Sequence, residues 1–414
     1  MRILLWHGYL LEGTGSNIYT RALARAWARA GHEVVVVCQD PEPERHDLAG
    51  AQVVRPELPG GLLPVFVLDH YDGLEAKLLQ DFTQEERDRY VAANAEALRA
   101  LAPADVVFAN HVLLGGPVAA ASGLRYAVKA HGSELEYSMR GRPELGEWGR
   151  EALRGAEAVF VGSQHIREVL GEVCGHVEHV HEVPPGVDVD EFRPAPRDEA
   201  LARLVAEARR DPPNPGNANE RLPDEGNAAR LEAFLATEEP TAVYFGKLLF
   251  NKGVHLLLEA LRSLDARAVI VGFGDYREEL EALAGPRVLF TGALEHRHLI
   301  HLLPLCDAAV VPSIFPEAFG MVAAEAAAAG CPPLVARHSG LATIAAGLED
   351  DYPFHLRDLA SFRSGDVTDL AAKLQLLLTL TPGEREAVAT AARAAVVRRW
   401  SWASVADRLL MPLT

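Results

Sequence analysis

Cysteine and cationic side chains are scarce in this chain, and long hydrophobic runs are absent. Its 414 residues include 4 cysteines at scattered positions, which gives no disulfide framework and favours reduced thiols. Lysine and arginine number 40 against 58 aspartates and glutamates, so the formal net charge is −18. Nucleic acid and anionic membranes would be repelled by that charge, which excludes them as expected partners. No run approaches the roughly 18 apolar residues of a membrane span, and no signal peptide is visible, so we expect a soluble cytoplasmic protein.

Short apolar runs alternate with amphipathic helical patterns along both halves of the chain. The first series begins with a strand at residues 2–6 and a helix over 17–30, and a second series begins with a strand at 241–245. This alternation predicts an α/β fold with doubly wound parallel sheets. A polar, proline- and asparagine-rich stretch at 210–219 separates the two series and predicts a surface loop.

The composition shifts also predict where the domains lie. We expect one domain at residues 1–193 and a second at 241–396, joined by an inserted or linking segment at 194–240. The aromatic-rich end of the chain, about residues 397–414, is predicted to pack back onto the first domain.

Two glutamates eight positions apart mark a candidate ligand site. An apolar strand at residues 308–311 leads into a loop containing Glu317, and a helix predicted at about 319–329 carries Glu325. Open α/β sheets bind ligands where a strand ends and a helix begins, and the free N–H groups of the first helical turn favour oxygen-rich groups. A helix-terminal charge and a solvated side chain would give the same spacing, so neighbouring motifs must decide.

Two lysines lie in one glycine-bounded loop, residues 246–253, after the strand at 241–245. Lys247 and Lys252 would be ordinary solvated side chains in the simplest interpretation. A diphosphate would complement both their charge and the amides that glycine exposes. Taken with the two glutamates on a later loop of the same sheet, the lysines favour a nucleotide-sugar site.

Read together, these motifs resemble the retaining glycosyltransferases of family 4, in the branch that uses inositol phosphate or makes sucrose. That family has the GT-B architecture, in which two Rossmann-like domains with doubly wound parallel sheets face each other across a cleft. The similarity spans both halves in order, and segment 194–240 is its main unmatched part. The matching motifs are G-S-N-I-Y at 15–19, H-G at 131–132, P-G-V-D-x3-F at 185–192, G-K-x4-K-G at 246–253, V-G-F-G at 271–274 and P-E-A-F-G-M at 316–321 with Glu325.

The resemblance implies roles for the donor-binding residues. The catalytic residues would be His131 beside the anomeric carbon, Glu317 on the donor-sugar hydroxyls and Lys252 on the diphosphate. Glu325 would bind the ribose. The remaining donor contacts would come from Gly15, Gly246, Lys247 and the backbone amides of Phe319, Gly320 and Met321. Two positions depart from the family pattern: Lys247 replaces the usual arginine, and Thr14-Gly15 replaces a double glycine.

The resemblance also implies the reaction. A sugar would pass from a nucleoside diphosphate sugar, a UDP-sugar first of all, to a small soluble hydroxyl acceptor with retention at the anomeric carbon, without cofactor or metal. The acceptor would lie in the first domain near six polar side chains: His7, Asn17, Asn110, His111, Glu134 and Tyr137. We do not predict inositol phosphate as the acceptor, because Val112 occupies the position at which the inositol-phosphate enzymes of the family carry a tyrosine. Whether the protein forms a homodimer is left open.

Several alternatives stay open or are set aside at this stage. Asp188-Val-Asp190 has the D-x-D form of metal-dependent transferases, but no third oxygen ligand is apparent. A strand over residues 177–183 would place His179 and His181 on one face, yet no second pair has zinc spacing. A nucleotide-sugar epimerase or hydrolase on the same scaffold, and a catalytically silent nucleotide-sugar-binding protein, remain as rival functions.

Overall fold

The computed structural model describes residues 1–13, 15–66, 74–214 and 221–414. Thr14 of the Thr14-Gly15 pair, and residues 215–219 of the predicted polar loop, lie outside the described residues. The chain forms two compact units. The first contains Met1–Gly186 and Trp402–Thr414, and the second contains Val187–Ser401.

The first unit is built on a parallel sheet of seven strands in the order β3-β2-β1-β6-β7-β8-β9. A separate parallel pair, β4-β5, lies in the same unit. The strands are β1 Arg2–Trp6, β2 Glu33–Val37, β3 Gln52–Val54, β4 Leu62–Val65, β5 Glu75–Leu78, β6 Val106–Asn110, β7 Tyr126–Lys129, β8 Ala158–Val161 and β9 Val180–Glu182.

Helices cover both faces of this sheet. They are α1 Gly15–Arg29, α2 Gln84–Ala100, α3 Gly116–Ser122, α4 Pro143–Leu153, α5 Gln164–Cys174 and, from the end of the chain, α15 Trp402–Leu410. Alternate residues of β1 enter two separate cores: Leu4 and Trp6 pack on one side, and Ile3 and Leu5 on the other. Both faces are apolar because a parallel sheet between helix layers is buried on both sides.

The core beneath α1 also receives the end of the chain. Val405 and Leu409 of α15 are fully buried in the cluster that contains Ile3 and Trp27. The indole Nε1 of Trp27 donates a hydrogen bond to the carbonyl of Ala406 at 3.1 Å. The terminal helix is therefore part of the first unit's hydrophobic core.

The second unit has a parallel six-stranded sheet in the order β12-β11-β10-β13-β14-β15. Its strands are β10 Thr241–Phe245, β11 Arg267–Val271, β12 Val288–Phe290, β13 Ala308–Val311, β14 Pro333–Ala336 and β15 Ser361–Phe362. Its helices are α6 Arg197–Ala208, α7 Asn227–Leu235, α8 Val254–Leu261, α9 Arg277–Leu283, α10 His296–Leu302, α11 Met321–Ala328, α12 Ser339–Glu349, α13 Val367–Leu378 and α14 Pro382–Trp400.

Segment 194–240 contributes two of those helices. Leu204 of α6 and Leu231 of α7 are fully buried in the same hydrophobic cluster as the strands of the second unit. The segment therefore packs as part of that unit. Across the described parts of the chain, no helix combines the length and apolar character needed to cross a bilayer.

Candidate active site

In the second unit, the loop after β10 is fitted closely to the loop after β13. Gly253 has φ +70°, and a Cβ there would lie 2.0 Å from the carbonyl oxygen of Pro312, so a side chain has no room. The Ile314 N–H donates to the carbonyl of Asn251 at 3.0 Å. β10 and β13 are neighbours in the sheet, and their carboxyl ends meet at one edge. The sequence motifs around Lys252 and Glu317 are thus adjacent in space.

Lys252 and Glu317 form an ion pair at this edge, with 2.6 Å between Nζ and Oε1. Both side chains remain partly exposed, at 29% and 22%. Lys247, in the same loop, is exposed, and its carbonyl accepts a hydrogen bond from the Tyr244 hydroxyl at 2.7 Å. Gly246 donates its N–H to the carbonyl of Val271. The loop is anchored through its backbone while its lysine side chains stay at the surface.

α11 begins two residues later than the lower bound predicted from sequence. Gly320 precedes it with φ +111°, and no side chain caps its first turn. Amides at an uncapped helix start are available to anionic or oxygen-rich groups. Phe319, Gly320 and Met321 lie at this point, and Glu317 lies in the loop before it. The predicted sugar-contacting amides are therefore at a helix amino terminus.

Glu325 lies on the second turn of α11 and is half-buried. Burial raises the pKa of Glu325 to about 8, because the charged carboxylate loses hydration. A buried carboxyl group of this kind gains from a ligand that donates hydrogen bonds to it.

In the first unit, the carboxyl ends of β1, β6 and β7 bring together most of the predicted acceptor residues. His7 Nε2 lies 2.8 Å from Asn17 Oδ1, and the Asn17 amide donates to the carbonyl of Glu12. Gly15 is the first residue of α1, two positions before Asn17. Burial, followed by the charge of His111, lowers the pKa of His7 to about 3, so this ring is neutral at pH 7.

His131 stands at the centre of this cluster. Its Nε2 lies 2.8 Å from Asn110 Oδ1, and the Asn110 amide nitrogen donates to Thr20 Oγ1 at 3.2 Å. Because the amide nitrogen of Asn110 is used there, its oxygen accepts and Nε2 of His131 carries the hydrogen. Burial, then His111, Lys129 and His7, hold the pKa of His131 well below its usual range. The ring is a neutral donor at Nε2.

His111 and Glu134 are fully buried beside His131. Glu134 Oε1 accepts the backbone N–H of His131 at 2.9 Å, while Oε2 lies 3.3 Å from His111 Nδ1 without a hydrogen bond. Among the residues that the structure describes, neither ring nitrogen of His111 has a hydrogen-bond partner. His111 has φ +73°, and π-helical turns at His111–Gly115 and Glu134–Met139 follow β6 and β7. Strained backbone, π-turns and unsatisfied buried polar atoms are all typical of functional sites.

Tyr137 is not part of that cluster, since its side chain is 62% exposed. Asp188 Oδ1 accepts the N–H groups of Asp190 and Glu191, at 3.1 and 3.0 Å, so one carboxylate of the D-x-D stabilises a turn. His179 has φ +53° and precedes the short strand β9, which corrects the strand predicted over 177–183. Within the described residues, no three His, Cys, Asp or Glu side chains form a metal-binding group.

Three residues near these sites were not predicted as functional from sequence. His338 and Ser339, after β14, contact the Glu317 loop, and only their spatial position reveals it. Lys129 is 3% exposed and donates to the carbonyl of Val183 at 2.8 Å. Burial, followed by Arg408, lowers the pKa of Lys129 to about 7. The sequence feature that could have identified Lys129 is a lysine at the end of an otherwise apolar strand.

Two Rossmann-like parallel-sheet units with polar side chains at the carboxyl edges of their strands are the architecture of the GT-B glycosyltransferases. Sequence models agree: one described as "Glycosyl transferases group 1" matches residues 228–395, and one described as "Glycosyl transferase 4-like domain" matches residues 14–186. The chain belongs to the family 4 glycosyltransferases, and it is an enzyme of the transferase class.

Individual relatives agree with this assignment. The chain is 29% identical to the D-inositol 3-phosphate glycosyltransferase of Xylanimonas cellulosilytica, over 96% of this chain and 91% of that protein. It is 26% identical to a GDP-mannose-dependent monoacylated α-(1-6)-phosphatidylinositol monomannoside mannosyltransferase of Corynebacterium glutamicum, over 72% of each.

Solved structures share the fold over nearly the whole chain. The sucrose-phosphate synthase of Thermosynechococcus elongatus superposes with a TM-score of 0.66 at 19% identity, covering 99% of this chain and 97% of that one. An Anabaena protein solved with UDP and glucose gives a TM-score of 0.67 at 17% identity, covering 100% and 99%.

Proposed function

We propose that this glycosyltransferase takes its sugar from a UDP-sugar and transfers it, with retention, to a small hydroxyl-bearing acceptor. The observation that carries the proposal is the adjacency of Lys252 and Glu317 at the carboxyl edge of the second sheet. A cation suits a diphosphate and a carboxylate suits sugar hydroxyls, so the two groups match neighbouring parts of one donor.

The other donor contacts follow from the same edge. Glu325 accepts hydrogen bonds from the ribose hydroxyls, and the amides at the start of α11, around Gly320, contact the sugar. Lys247 adds charge for the diphosphate. UDP is favoured as the nucleotide by the solved relative that holds UDP and glucose, while the GDP-mannose-dependent relative makes GDP the direct competitor.

In the proposed reaction, the bond between the anomeric carbon and the diphosphate oxygen breaks as the acceptor oxygen attacks from the same face. The acceptor hydroxyl proton passes to the departing diphosphate, and Lys252 stabilises the charge that develops there. Glu134 is not the nucleophile in this scheme, because it is buried and its Oε1 holds the backbone N–H of His131. His131 is the proposed catalytic residue of the first unit, and its ring is neutral.

The acceptor is proposed to bind among the polar side chains at the carboxyl ends of β1, β6 and β7. Asn17, Asn110, His111 and Glu134 converge there on His7 and His131. The unpartnered atoms of His111 and Glu134 suit a hydroxyl group, which both donates and accepts hydrogen bonds. A small polyhydroxylated acceptor follows from that chemistry.

Two measurements test the proposal. UDP, GDP and ADP are first compared by thermal shift, and UDP should raise the melting temperature by a few degrees. UDP-glucose and GDP-mannose are then offered with a panel of polyols and sugars. UDP should be released only when an acceptor is present, the product should keep the anomeric configuration by NMR, and EDTA should leave the rate unchanged.

Other outcomes would reject parts of it. Donor conversion without acceptor would favour an epimerase or hydrolase. A Glu317→Ala variant as active as wild type would remove the assigned donor role of that residue. If GDP alone stabilises the protein, the donor nucleotide is GDP and not UDP.

A further inference from the structure

The segment that begins α12 contacts the Glu317 loop through three hydrogen bonds, and a fourth links His338 to Ser339 within the segment. His338 Nε2 lies 2.6 Å from the carbonyl oxygen of Ser313, and His338 Nδ1 lies 3.0 Å from Ser339 Oγ. Ser339 Oγ accepts the N–H of Glu317 at 2.9 Å. The carbonyl of Glu317 accepts the N–H of Gly340, also at 2.9 Å. Both backbone polar groups of Glu317 are therefore held by this one segment.

The direction of these hydrogen bonds follows from the groups involved. A carbonyl oxygen only accepts, so His338 Nε2 carries the hydrogen toward Ser313. His338 Nδ1 lies within hydrogen-bond distance of Ser339 Oγ. The hydroxyl oxygen has a lone pair for the N–H of Glu317. His338, Ser339 and Glu317 are thus linked by consecutive hydrogen bonds.

The backbone of the segment is shaped for this contact. Ser339 has φ +46°, a conformation that glycine adopts more readily than serine, and this conformation accompanies the bond from its hydroxyl to Glu317. A Cβ on Gly340 would lie 2.5 Å from Phe319 Cα, so only glycine lets the two loops approach. Strain of this kind persists where the surrounding structure fixes it, and it is concentrated at functional positions.

We propose that His338 and Ser339 are positioning residues that fix Glu317 for recognition of the donor sugar. This inference rests on the proposed function, in which Glu317 contacts sugar hydroxyls while Glu325 and the lysines contact the nucleotide. The two residues act on the sugar through Glu317 and make no contribution of their own to the ribose or diphosphate. Their loss changes how well the enzyme distinguishes a nucleotide sugar from the bare nucleotide.

The test compares the full-length wild type with Ser339→Ala and Ser339→Gly. Calorimetry gives the dissociation constants of UDP and UDP-glucose, with GDP and GDP-mannose as the second pair, and the transfer assay gives kcat and KM. Ser361→Ala is the control, because its hydroxyl contacts Arg337 and Glu349 and does not touch the Glu317 loop. Melting temperatures show that each variant is folded.

Both Ser339 variants should bind UDP within about twofold of wild type, while the ratio of the UDP-glucose and UDP dissociation constants rises about tenfold, a change of ~1.4 kcal/mol. Transfer should fall at least as much, and Ser361→Ala should match wild type. His338→Ala should act like Ser339→Ala.

Four results would overturn the inference. Equal weakening of UDP and UDP-glucose would indicate a general structural role. Wild-type behaviour of Ser339→Gly, with Ser339→Ala impaired, would assign the effect to backbone conformation instead of the hydroxyl. If the wild type binds neither the UDP pair nor the GDP pair, the proposed function is rejected and this role with it. If the wild type distinguishes the nucleotide sugar from the bare nucleotide and the variants do so equally well, only the positioning role is rejected.

Discussion

Lys252 Nζ lies 2.6 Å from Glu317 Oε1, so the two side chains assigned to the diphosphate and to the sugar neutralise each other in the free enzyme. In the proposed function, the donor therefore enters a site in which these two charges are already paired. Its phosphate oxygens would compete with Glu317 for Lys252, and its sugar hydroxyls would compensate Glu317 for the loss. A bare nucleoside diphosphate would supply the first interaction and lack the second. When the proposed product UDP is left behind, re-forming the ion pair would favour its release.

Replacement of Glu317 tests this competition. In Glu317→Gln the whole charge of Lys252 is available to phosphate, so UDP should bind about two- to fivefold more tightly, the size expected for a partly exposed ion pair. Transfer should fall roughly a hundredfold or more, because a contact to the reacting sugar is lost. Calorimetry with UDP and the transfer assay measure the two effects.

Glu281→Gln is the matched control, because it removes a partly exposed carboxylate that pairs with Arg277 in the same unit. This control should change neither the affinity for UDP nor the rate of transfer. Weaker UDP binding by Glu317→Gln would contradict the competition between phosphate and carboxylate for Lys252.

Glu325 should make donor binding depend on pH. Its pKa of about 8 in the free enzyme means that the carboxyl is largely protonated at neutral pH, whereas ribose hydroxyls donate best to the ionised form. UDP affinity should therefore rise with pH, by up to about tenfold per unit, and level off above about pH 8. The Glu325→Gln variant should bind UDP more weakly, and its UDP affinity should no longer rise with pH. A pH dependence caused by titration of the phosphate itself would persist in the variant. An unchanged slope in the variant would exclude Glu325 as its source.

The same carboxyl group has an effect on stability whose sign can be stated. The folded pKa lies above the ordinary value of 4.5, so between these pH values the folded state keeps a proton that the unfolded chain releases. Stability contributed by this group therefore decreases as pH rises toward 8. Glu325→Gln should raise the melting temperature at pH 8.5 more than at pH 5. Scanning calorimetry at the two pH values measures the difference, and an effect of equal size at both would be evidence against a raised pKa.

Gly253 should be essential to the lysine loop. Gly253→Ala places a Cβ against the Pro312 carbonyl at a positive φ, and it should cost roughly 2 kcal/mol or more in unfolding free energy. Displacement of Lys252 should weaken UDP binding as well. Gly383→Ala in α14 is the control: nothing lies within 4 Å of its added Cβ, and the helix should gain up to about 1 kcal/mol. Denaturant unfolding distinguishes the two, and equal stabilities would show that the loops can separate without loss.

Glu134 should affect transfer and leave donor binding unchanged. Glu134→Gln keeps the shape and an oxygen for the His131 N–H, but places an amide group where Oε2 faces His111. Transfer should fall about a hundredfold, while UDP affinity stays within about twofold of wild type. Glu136→Gln, on the same π-helical turn and paired at the surface with Arg140, should behave like wild type. Full transfer activity in Glu134→Gln would remove the acceptor role from this cluster.

The buried strands are the part of the fold that sequence predicts best. Arg2–Trp6, Thr241–Phe245 and Ala308–Val311 have the bounds that their apolar runs indicate, because a strand buried on both faces is nearly all apolar. Pro64 in β4 and the charged residues of β5 do not indicate a strand, and the apolar residues of His111–Gly115 do not distinguish a π-helical turn from a strand. Their conformation depends on contacts with distant parts of the chain.

The candidate site divides in the same way. Motif spacing identifies Lys252, Glu317 and Glu325 as chemically suited to a nucleotide sugar. Lys252 and Glu317 lie in loops that follow strands, and Glu325 lies on the helix that follows the second of these loops. The ion pair between the first two needs β10 and β13 to be neighbours, a long-range pairing that periodicity does not contain. The contact of Ser339 with Glu317 likewise depends on β14 lying beside β13.

The first unit takes part of its hydrophobic core from residues that follow the whole of the second unit in the sequence. Val405 and Leu409 cover the sheet face that carries Ile3 and Leu5, whereas the second unit is one continuous stretch from Val187 to Ser401. On the ribosome, the second unit therefore has its complete sequence first, although it is encoded later than most of the first. Until residues 402–414 have been synthesised, the amino-terminal sheet lacks part of the cover of one apolar face, and a chain that stops before them would expose that part to chaperones and proteases.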